Sequence, residues 1–240
     1  IKVRRRIISK DNAKTTFDSF VKHSKTVNDQ RSIASGTDKR IWDKGISRST
    51  EKIRSNISGY FDKPYMQIQK HFNTKTVCRT TSFTKKNWNK WESSIPFFET
   101  IANCYRELCP IEYNSQMMLF KDSPPGFQIG NTPFTTVTSN YNWRTSCHKD
   151  KGDYSGGMGN LTILGGDFKG GFIGFPQFGI AVDLRPRDTA IMDVHQWHCN
   201  TELDADDNRI RLSFVTYFRE KMVDCNKKKV INDDIYYFKG

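Results

Sequence analysis

The sequence predicts a mainly β fold, a sandwich or barrel of short strands with helical structure ahead of it. Two observations predict it. After Pro110 the stretches "PFTTVTSNYNWRTSCH", "LTILGG", "GGFIGFPQFG", "IAVDLRPRD", "TAIMDVHQWH" and "RIRLSFVTYF" are dense in Val, Ile, Thr, Phe, Tyr and Trp. Each is short, is bounded by Gly, Pro, Asp or Asn, and lacks helical periodicity, which is how the strands of an all-β unit read. Before Pro110 the pattern is helical. In "SSIPFFETIANCYRELCP" the residues Phe97, Phe98, Ile101, Tyr105 and Leu108 recur at three and four, Ser94 stands at the cap and Pro96 in the first turn.

The remaining elements follow in order. Residues 1–58 are rich in Lys, Arg, Ser, Thr, Asn and Asp with scattered apolar positions, and read as a basic N-terminal extension, flexible or partly helical. From Tyr60 the aromatics thicken through Phe61, Tyr65, Phe72, Phe83 and Trp88, so a core begins there. A helical lead-in over 59–112 then gives way to the β unit over 113–222, the helix laying its apolar stripe against a sheet. In that unit "QMMLF" is a short apolar run and "SPPGF" a turn cluster. Residues 223–240 form a charged tail, in which "IYYF" adds an edge strand or packs down.

The 240 residues suffice for one substantial domain with an extension, or for two small domains. No run approaches 18 apolar residues, so no membrane span is expected, and "IKVRRRIISK" lacks the hydrophobic stretch of a secretory leader. Lys and Arg number 38 against 26 Asp and Glu, a net of +12, and residues 1–60 hold 15 of the former against 6 of the latter. A basic leading segment suits a polyanion, nucleic acid first; a solvated tail without a partner is the alternative. The six cysteines include no CxxC and no zinc-ligand spacing, so reduced thiols in a cytosolic or nuclear setting are expected.

In "TSCHKDKGDYSGG" His148, one of only five histidines, stands two places before Asp150. In a strand these share a face, so an imidazole and a carboxylate lie side by side as half of a metal site; a surface ion pair is the plainer alternative. The other half would come from His195 or His198 in "DVHQWHCNTEL". Two imidazoles and one carboxylate leave three positions of an octahedral ion open, which suits non-haem Fe(II) binding a co-substrate and O2 together. Zinc prefers a closed tetrahedron or one open position. A chelating acid such as 2-oxoglutarate needs a cation for its far carboxylate. In "NRIRLSFVTYF" Arg211 and Ser213 alternate with Leu212, so both can face an interior where a guanidinium grips a carboxylate with two bonds.

On these residues the chain resembles the TET/JBP class of Fe(II)- and 2-oxoglutarate-dependent dioxygenases, in the compact form of phage and other viral members. The resemblance runs from Cys78 to Met222 and includes "CRTTSFTKKN", "TPFTTVTSNYNWRTSCHKDKGD", "GGFIGFPQFGIAVDLRPRD", "DVHQWHCNT" and "RLSFVTYFRE". It implies a double-stranded β-helix, a cupin-like jelly-roll with helices backing one sheet. It implies Fe(II), 2-oxoglutarate and O2, with ascorbate as a reductant. The implied substrate is the 5-methyl group of a pyrimidine in double-stranded DNA, the base flipped out to reach the iron.

Carried over by position, the resemblance makes His148, Asp150 and His198 the metal ligands, because "HCNT" fits the family's H-x-N-T, and leaves His195 beside them. Arg211 and Ser213 would hold 2-oxoglutarate, with Arg144 near it. Asp153 stands where cytosine-oxidising relatives contact the base, and a carboxylate accepts from the cytosine amino group. Conversion of 5-methylcytosine to 5-hydroxymethylcytosine is therefore expected, with thymine hydroxylation the alternative. Arg219 stands where some relatives carry a histidine and would stack on the base; Arg79 and Asn200 are further substrate contacts. Lys85, Lys86, Arg4, Arg5 and Arg6 are the expected phosphate contacts, while Phe83, Trp88 and Trp91 read as core rather than groove. "PRD" replaces the family's P-G-D turn, and Arg187 takes a positive φ less cheaply than glycine. The setting implied is intracellular: the cytoplasm of an infected bacterial host for a phage protein, the nucleus for a eukaryotic one. Rival readings are a 2-oxoglutarate-dependent protein hydroxylase, a nucleic-acid-binding protein with a non-catalytic iron site, and a metal-free jelly-roll binding module.

Overall fold

The computed structural model describes residues 1–25, 54–62, 78–121 and 127–227. In chain order come β1 (Lys2–Arg4), α1 (Lys10–Ser24), β2 (Ser55–Phe61), β3 (Arg79–Thr80), α2 (Ser82–Lys86), α3 (Trp88–Glu92), α4 (Ile95–Leu108) and α5 (Pro110–Lys121). The strands β4 (Thr136–Tyr141), β5 (Gly159–Gly165), β6 (Lys169–Gly170), β7 (Ile173–Phe175), β8 (Ile180–Val182), β9 (Thr189–Met192), β10 (Cys199–Asn200), β11 (Leu203–Asp204) and β12 (Arg211–Tyr217) follow. The main sheet runs β1-β9-β5-β12-β4-β2-β3 and a smaller one β10-β7-β8, with β11 and β6 paired apart. Every pairing is antiparallel. This is the mainly β jelly-roll with helices that the sequence predicts.

Alternation along β12 separates core from site. Leu212 and Phe214 enter a cluster with the helices, where Phe214 meets Phe97 at 5.1 Å and Phe20 at 5.2 Å between ring centroids. Arg211, Ser213, Val215 and Tyr217 face the other way, into a pocket. Leu161, Ile163, Phe168, Ile173, Phe175, Ala190 and Met192 fill the space between the main sheet and the small one. Phe83 and Trp91 are buried in the helical cluster as predicted, and Trp88 is partly exposed.

Three expectations change. The leading segment is partly helical, as one of the two expectations had it, but where it is described it is packed rather than flexible: β1 pairs with β9, and Ile8 and Phe20 are fully buried. Ser9 caps α1 by accepting from the Asn12 N–H. Ala13, Phe17, Phe20 and Val21 make one apolar stripe that packs on the core. Residues 26–53 lie outside the described residues, as do Tyr65, Phe72 and "IYYF". Second, the helical lead-in extends to Lys121, so "QMMLF" belongs to α5. Pro110 opens that helix at the position where its missing N–H costs nothing. Third, Cys78 and Cys225 are joined as a disulfide, where reduced thiols were expected; Cys104, Cys109, Cys147 and Cys199 are free. Among the described residues no helix is long and apolar enough to cross a membrane.

Candidate active site

His148 and His198 lie opposite each other in a short antiparallel bridge. Each donates its backbone N–H to the other's carbonyl at 3.0 Å. Asp150 is tied to the next turn of chain through its N–H, 3.0 Å from the Val194 carbonyl. His148 Nδ1 lies 2.8 Å from the Ser146 carbonyl and His198 Nδ1 2.9 Å from the Gln196 carbonyl. A carbonyl only accepts, so Nδ1 is the donor of each ring there and Nε2 is turned towards the shared space, where it can serve as a ligand atom. Asp150 completes the group: Oδ1 is 3.4 Å from His148 Nε2 and Oδ2 3.9 Å from His198 Nε2. One ligand atom from each of the three lies within 4.8 Å of the others, as donors around one ion must. Burial lowers the pKa of His198 and keeps it neutral, the form a metal needs.

The donor set is that of a facial two-histidine, one-carboxylate Fe(II) centre, and the pocket wall fits its co-substrate. Arg211 is buried at 2% exposure, and burial pushes its pKa down to about 10, so it remains charged at neutral pH. Its Nε and the Trp143 indole N–H are buried without hydrogen-bond partners, and both residues line the pocket with Ser213. Two orphaned donors, one of them cationic, make a cradle for a carboxylate. Gly171 leaves room for it: a Cβ there would sit 3.2 Å from Arg211 Cδ and Nε, and its φ of +67° suits glycine. Asn142 Oδ1 accepts the Arg211 backbone N–H at 2.7 Å and fixes the start of β12.

Asp153 and Arg219 form a second bridge at the pocket wall. The Arg219 guanidinium donates to both oxygens of the fully buried Asp62, at 2.9 and 3.2 Å, and lies 4.5 Å over the Phe61 ring. Arg79 lies 5.4 Å from the same ring. Asn200 lines the pocket, but its amide accepts from Thr145 N–H at 3.3 Å and points its NH2 at the Gly171 carbonyl, so it braces backbone. His195 is no member of the triad: it bonds Asp193 at 3.0 Å and stands 3.3 Å from the Asp153 carbonyl.

Other placements depart from expectation. Arg144 is exposed and does not line the pocket: β4 ends at Tyr141, Asn142 turns the chain at a φ of +45°, and beyond it Trp143 and Thr145, not Arg144, line the pocket. Arg4 is paired with Glu107 at 2.7 Å and Arg5 with Asp188, on the edge strand β1 and just after it. Both are held by acidic partners within the chain. Arg6 has a φ of +51°, donates its backbone N–H to Asp188 and exposes its side chain. Lys85 and Lys86 are exposed on α2. Arg187 does adopt the glycine-like conformation, at φ +76°, anchored by its Nε on the Ile8 carbonyl at 2.6 Å. Sequence reasoning missed Asp62, Phe61 and Trp143; the last stands in an aromatic strand run five residues before His148, which is the one signal that pointed to it.

A jelly-roll with a His-Asp-His facial triad facing a buried arginine is the architecture of an Fe(II)- and 2-oxoglutarate-dependent oxygenase. The chain belongs to the Tet_JBP family, the oxygenase domain of the 2OGFeDO superfamily, whose family model matches residues 56–220. It is 35% identical over 173 residues to thymine dioxygenase JBP1 of Leishmania infantum, covering 70% of this chain and 20% of that protein. To thymine dioxygenase JBP1 of Crithidia fasciculata it is 32% identical over 175 residues, covering 72% and 20%. The chain thus spans about a fifth of the length of these curated relatives. Among solved structures, NgTET1 in complex with 5mC DNA shares the fold, with a TM-score of 0.57 at 10% identity, covering 92% of this chain and 72% of that one.

Proposed function

We propose that the chain hydroxylates the 5-methyl group of a pyrimidine in DNA, with thymine as the base put first. One arrangement carries the reading: the facial triad, the carboxylate cradle at Arg211 and the Asp153–Arg219 pair all open into one pocket. Fe(II) and 2-oxoglutarate, when bound, would activate O2, one oxygen atom passing to succinate as CO2 leaves and the other to the methyl group. His148, Asp150 and His198 hold the ion on one face and leave the rest of its sphere to other ligands. Arg211 and Trp143 draw the far carboxylate of the acid to the inner wall, which fixes how its other end meets the ion. Arg219 and Asp153 offer the base one donor and one acceptor. Arg219 is braced by Asp62 and Phe61, so it needs little rearrangement on binding.

In type, that donor and acceptor serve either base, but in opposite order along its edge. Thymine offers N3–H to Asp153 and O4 to Arg219; 5-methylcytosine offers its amino group to Asp153 and N3 to Arg219. Relatives a third identical that are named thymine dioxygenases favour thymine. The second reading, 5-methylcytosine, is favoured by Asp153 standing three residues after Asp150 and by the 5mC DNA of the fold neighbour. A methyl group inside a duplex lies too deep to reach the triad, so the nucleotide is flipped out first.

The test is nucleoside mass spectrometry on duplex DNA incubated with the protein, Fe(II), 2-oxoglutarate and ascorbate, one substrate bearing 5-methylcytosine and one only thymine. A hydroxymethyl nucleoside from the thymine-only duplex supports the first reading, and one from 5-methylcytosine alone replaces it with the second. Succinate release with no modified nucleoside from either would overturn DNA as substrate. His148→Ala and Asp150→Ala should abolish turnover and leave DNA affinity within about threefold, since neither contributes phosphate contacts.

A further inference from the structure

Cys147 and Cys199 adjoin the two ligand histidines, one in each segment and both on the same side of the His148–His198 bridge. Because those histidines exchange both backbone hydrogen bonds, they are the hydrogen-bonded kind of antiparallel pair. The adjacent pair, Cys147 opposite Cys199, is then the non-hydrogen-bonded kind, in which Cα atoms approach to about 4.5 Å. The same register sets Lys149 opposite Trp197 on the other side, and the Lys149 ammonium lies 5.5 Å from the Trp197 ring centroid. Cys147 is close enough to Cys199 to act on its thiol electrostatically. A disulfide asks for Cα atoms about 4.4–6.8 Å apart, a range that the separation expected for a pair beside the His148–His198 bridge falls within. Cys147 is exposed and Cys199 half-buried at the pocket's edge, so reagents reach the pair from solvent.

We propose that Cys147 and Cys199 form a reversible dithiol–disulfide site, oxidised by low-molecular-weight disulfides, whose closed form clasps the two segments that carry the iron ligands. With glutathione disulfide the step balances. A Cys147–Cys199 S–S bond forms, the glutathione S–S bond breaks, and two electrons and two protons pass to give two glutathione thiols. The bond ties residues 52 positions apart at the point where both histidines are held. It removes freedom from the unfolded chain and leaves the ligand register in place. This stands on the bridge geometry and is independent of which substrate the pocket accepts.

The test uses the full chain, metal-free, equilibrated with glutathione disulfide, then alkylated, digested and mapped by mass. The expected result is a peptide linking Cys147 to Cys199, about two mass units below the sum of the two thiol peptides, that dithiothreitol removes. The apparent Tm of the oxidised protein should rise by about 5 °C or more over the reduced protein. Cys147→Ala and Cys199→Ala should each abolish both the link and the rise, which separates this pair from Cys78–Cys225. Recovery of Cys147 as a glutathione adduct with Cys199 alkylated would overturn the pairing. A linked protein that melts no higher than the reduced one would overturn the clasp.

Discussion

The imidazole rings of His148 and His198 lie 4.4 Å apart, and the backbones beneath them exchange two hydrogen bonds of 3.0 Å. Two of the three metal ligands are therefore neighbours across one strand pair, and their spacing is set by a ladder. Only Asp150 depends on a further contact, the bond from its N–H to the Val194 carbonyl. A site of this kind is preorganised before any ion arrives, and much of the behaviour expected of the protein follows from that rigidity.

Arg211 is the first residue to test after the ligands. Its charge-assisted grip on a carboxylate is worth about 3 kcal/mol, or roughly a hundredfold in affinity. Arg211→Ala should raise the KM for 2-oxoglutarate by about that factor, read from a steady-state titration of the acid. Arg211→Lys keeps a charge but loses the planar fork, and should fall between. An unchanged KM in Arg211→Ala would move the co-substrate carboxylate elsewhere.

Burial lowers the pKa of His198 in the folded protein below its ordinary value near 6.5. Between those two values the unfolded chain binds a proton that the folded chain does not, so stability rises with pH across that window. The metal-free protein should hold this contribution in full above about pH 6.5 and lose it as pH falls towards the folded pKa. Urea midpoints measured from pH 7.5 downward check it, with His198→Gln flattening the dependence.

Asp62 is fully buried against Arg219, whose side chain is 14% exposed. Asp62→Asn removes the charge that balances the guanidinium, and breaking such a pair costs about 3 kcal/mol. The expected outcome is a lower urea midpoint at unchanged m-value. An equal midpoint would mean that Asp153 or solvent compensates the arginine.

Phe20 packs its ring against Phe83, Phe98 and Phe214. Phe20→Ala should cost about 3–5 kcal/mol, a loss that a loosely attached leading segment would never register. Equilibrium unfolding decides between the two.

How far the sequence could be read depended on how local each feature is. His148, Asp150 and His198 were legible because the His-x-Asp spacing and the HCNT run each state part of a ligand set. The alternation of Arg211 and Ser213 around Leu212 translated directly into a pocket face. α1 was illegible because Thr16, Ser19 and Ser24 are buried among its apolar positions, and polar residues inside a stripe hide its period. Ser24 is satisfied there by Ser139, 2.6 Å away, a partner that no local pattern announces. Arg4 and Arg5 counted as spare positive charge until folding brought Glu107 and Asp188 to them. Arg144 failed because the turn at Asn142 shifts which residues face the pocket, from Thr138 and Asn140 to Trp143 and Thr145. Asp62 meets Arg219 across 157 positions of sequence, a distance over which periodicity carries no information.

The main sheet ends on one side in the three residues of β1 and on the other in the two residues of β3. Its seven-residue strands β2, β5 and β12 all lie inside. Lys2, Arg4 and Arg79 stand on those short outer strands. A second molecule seeking to pair with β1 or β3 would find strands of only three and two residues. At these two ends of the main sheet, such short strands offer little template for edge-to-edge aggregation.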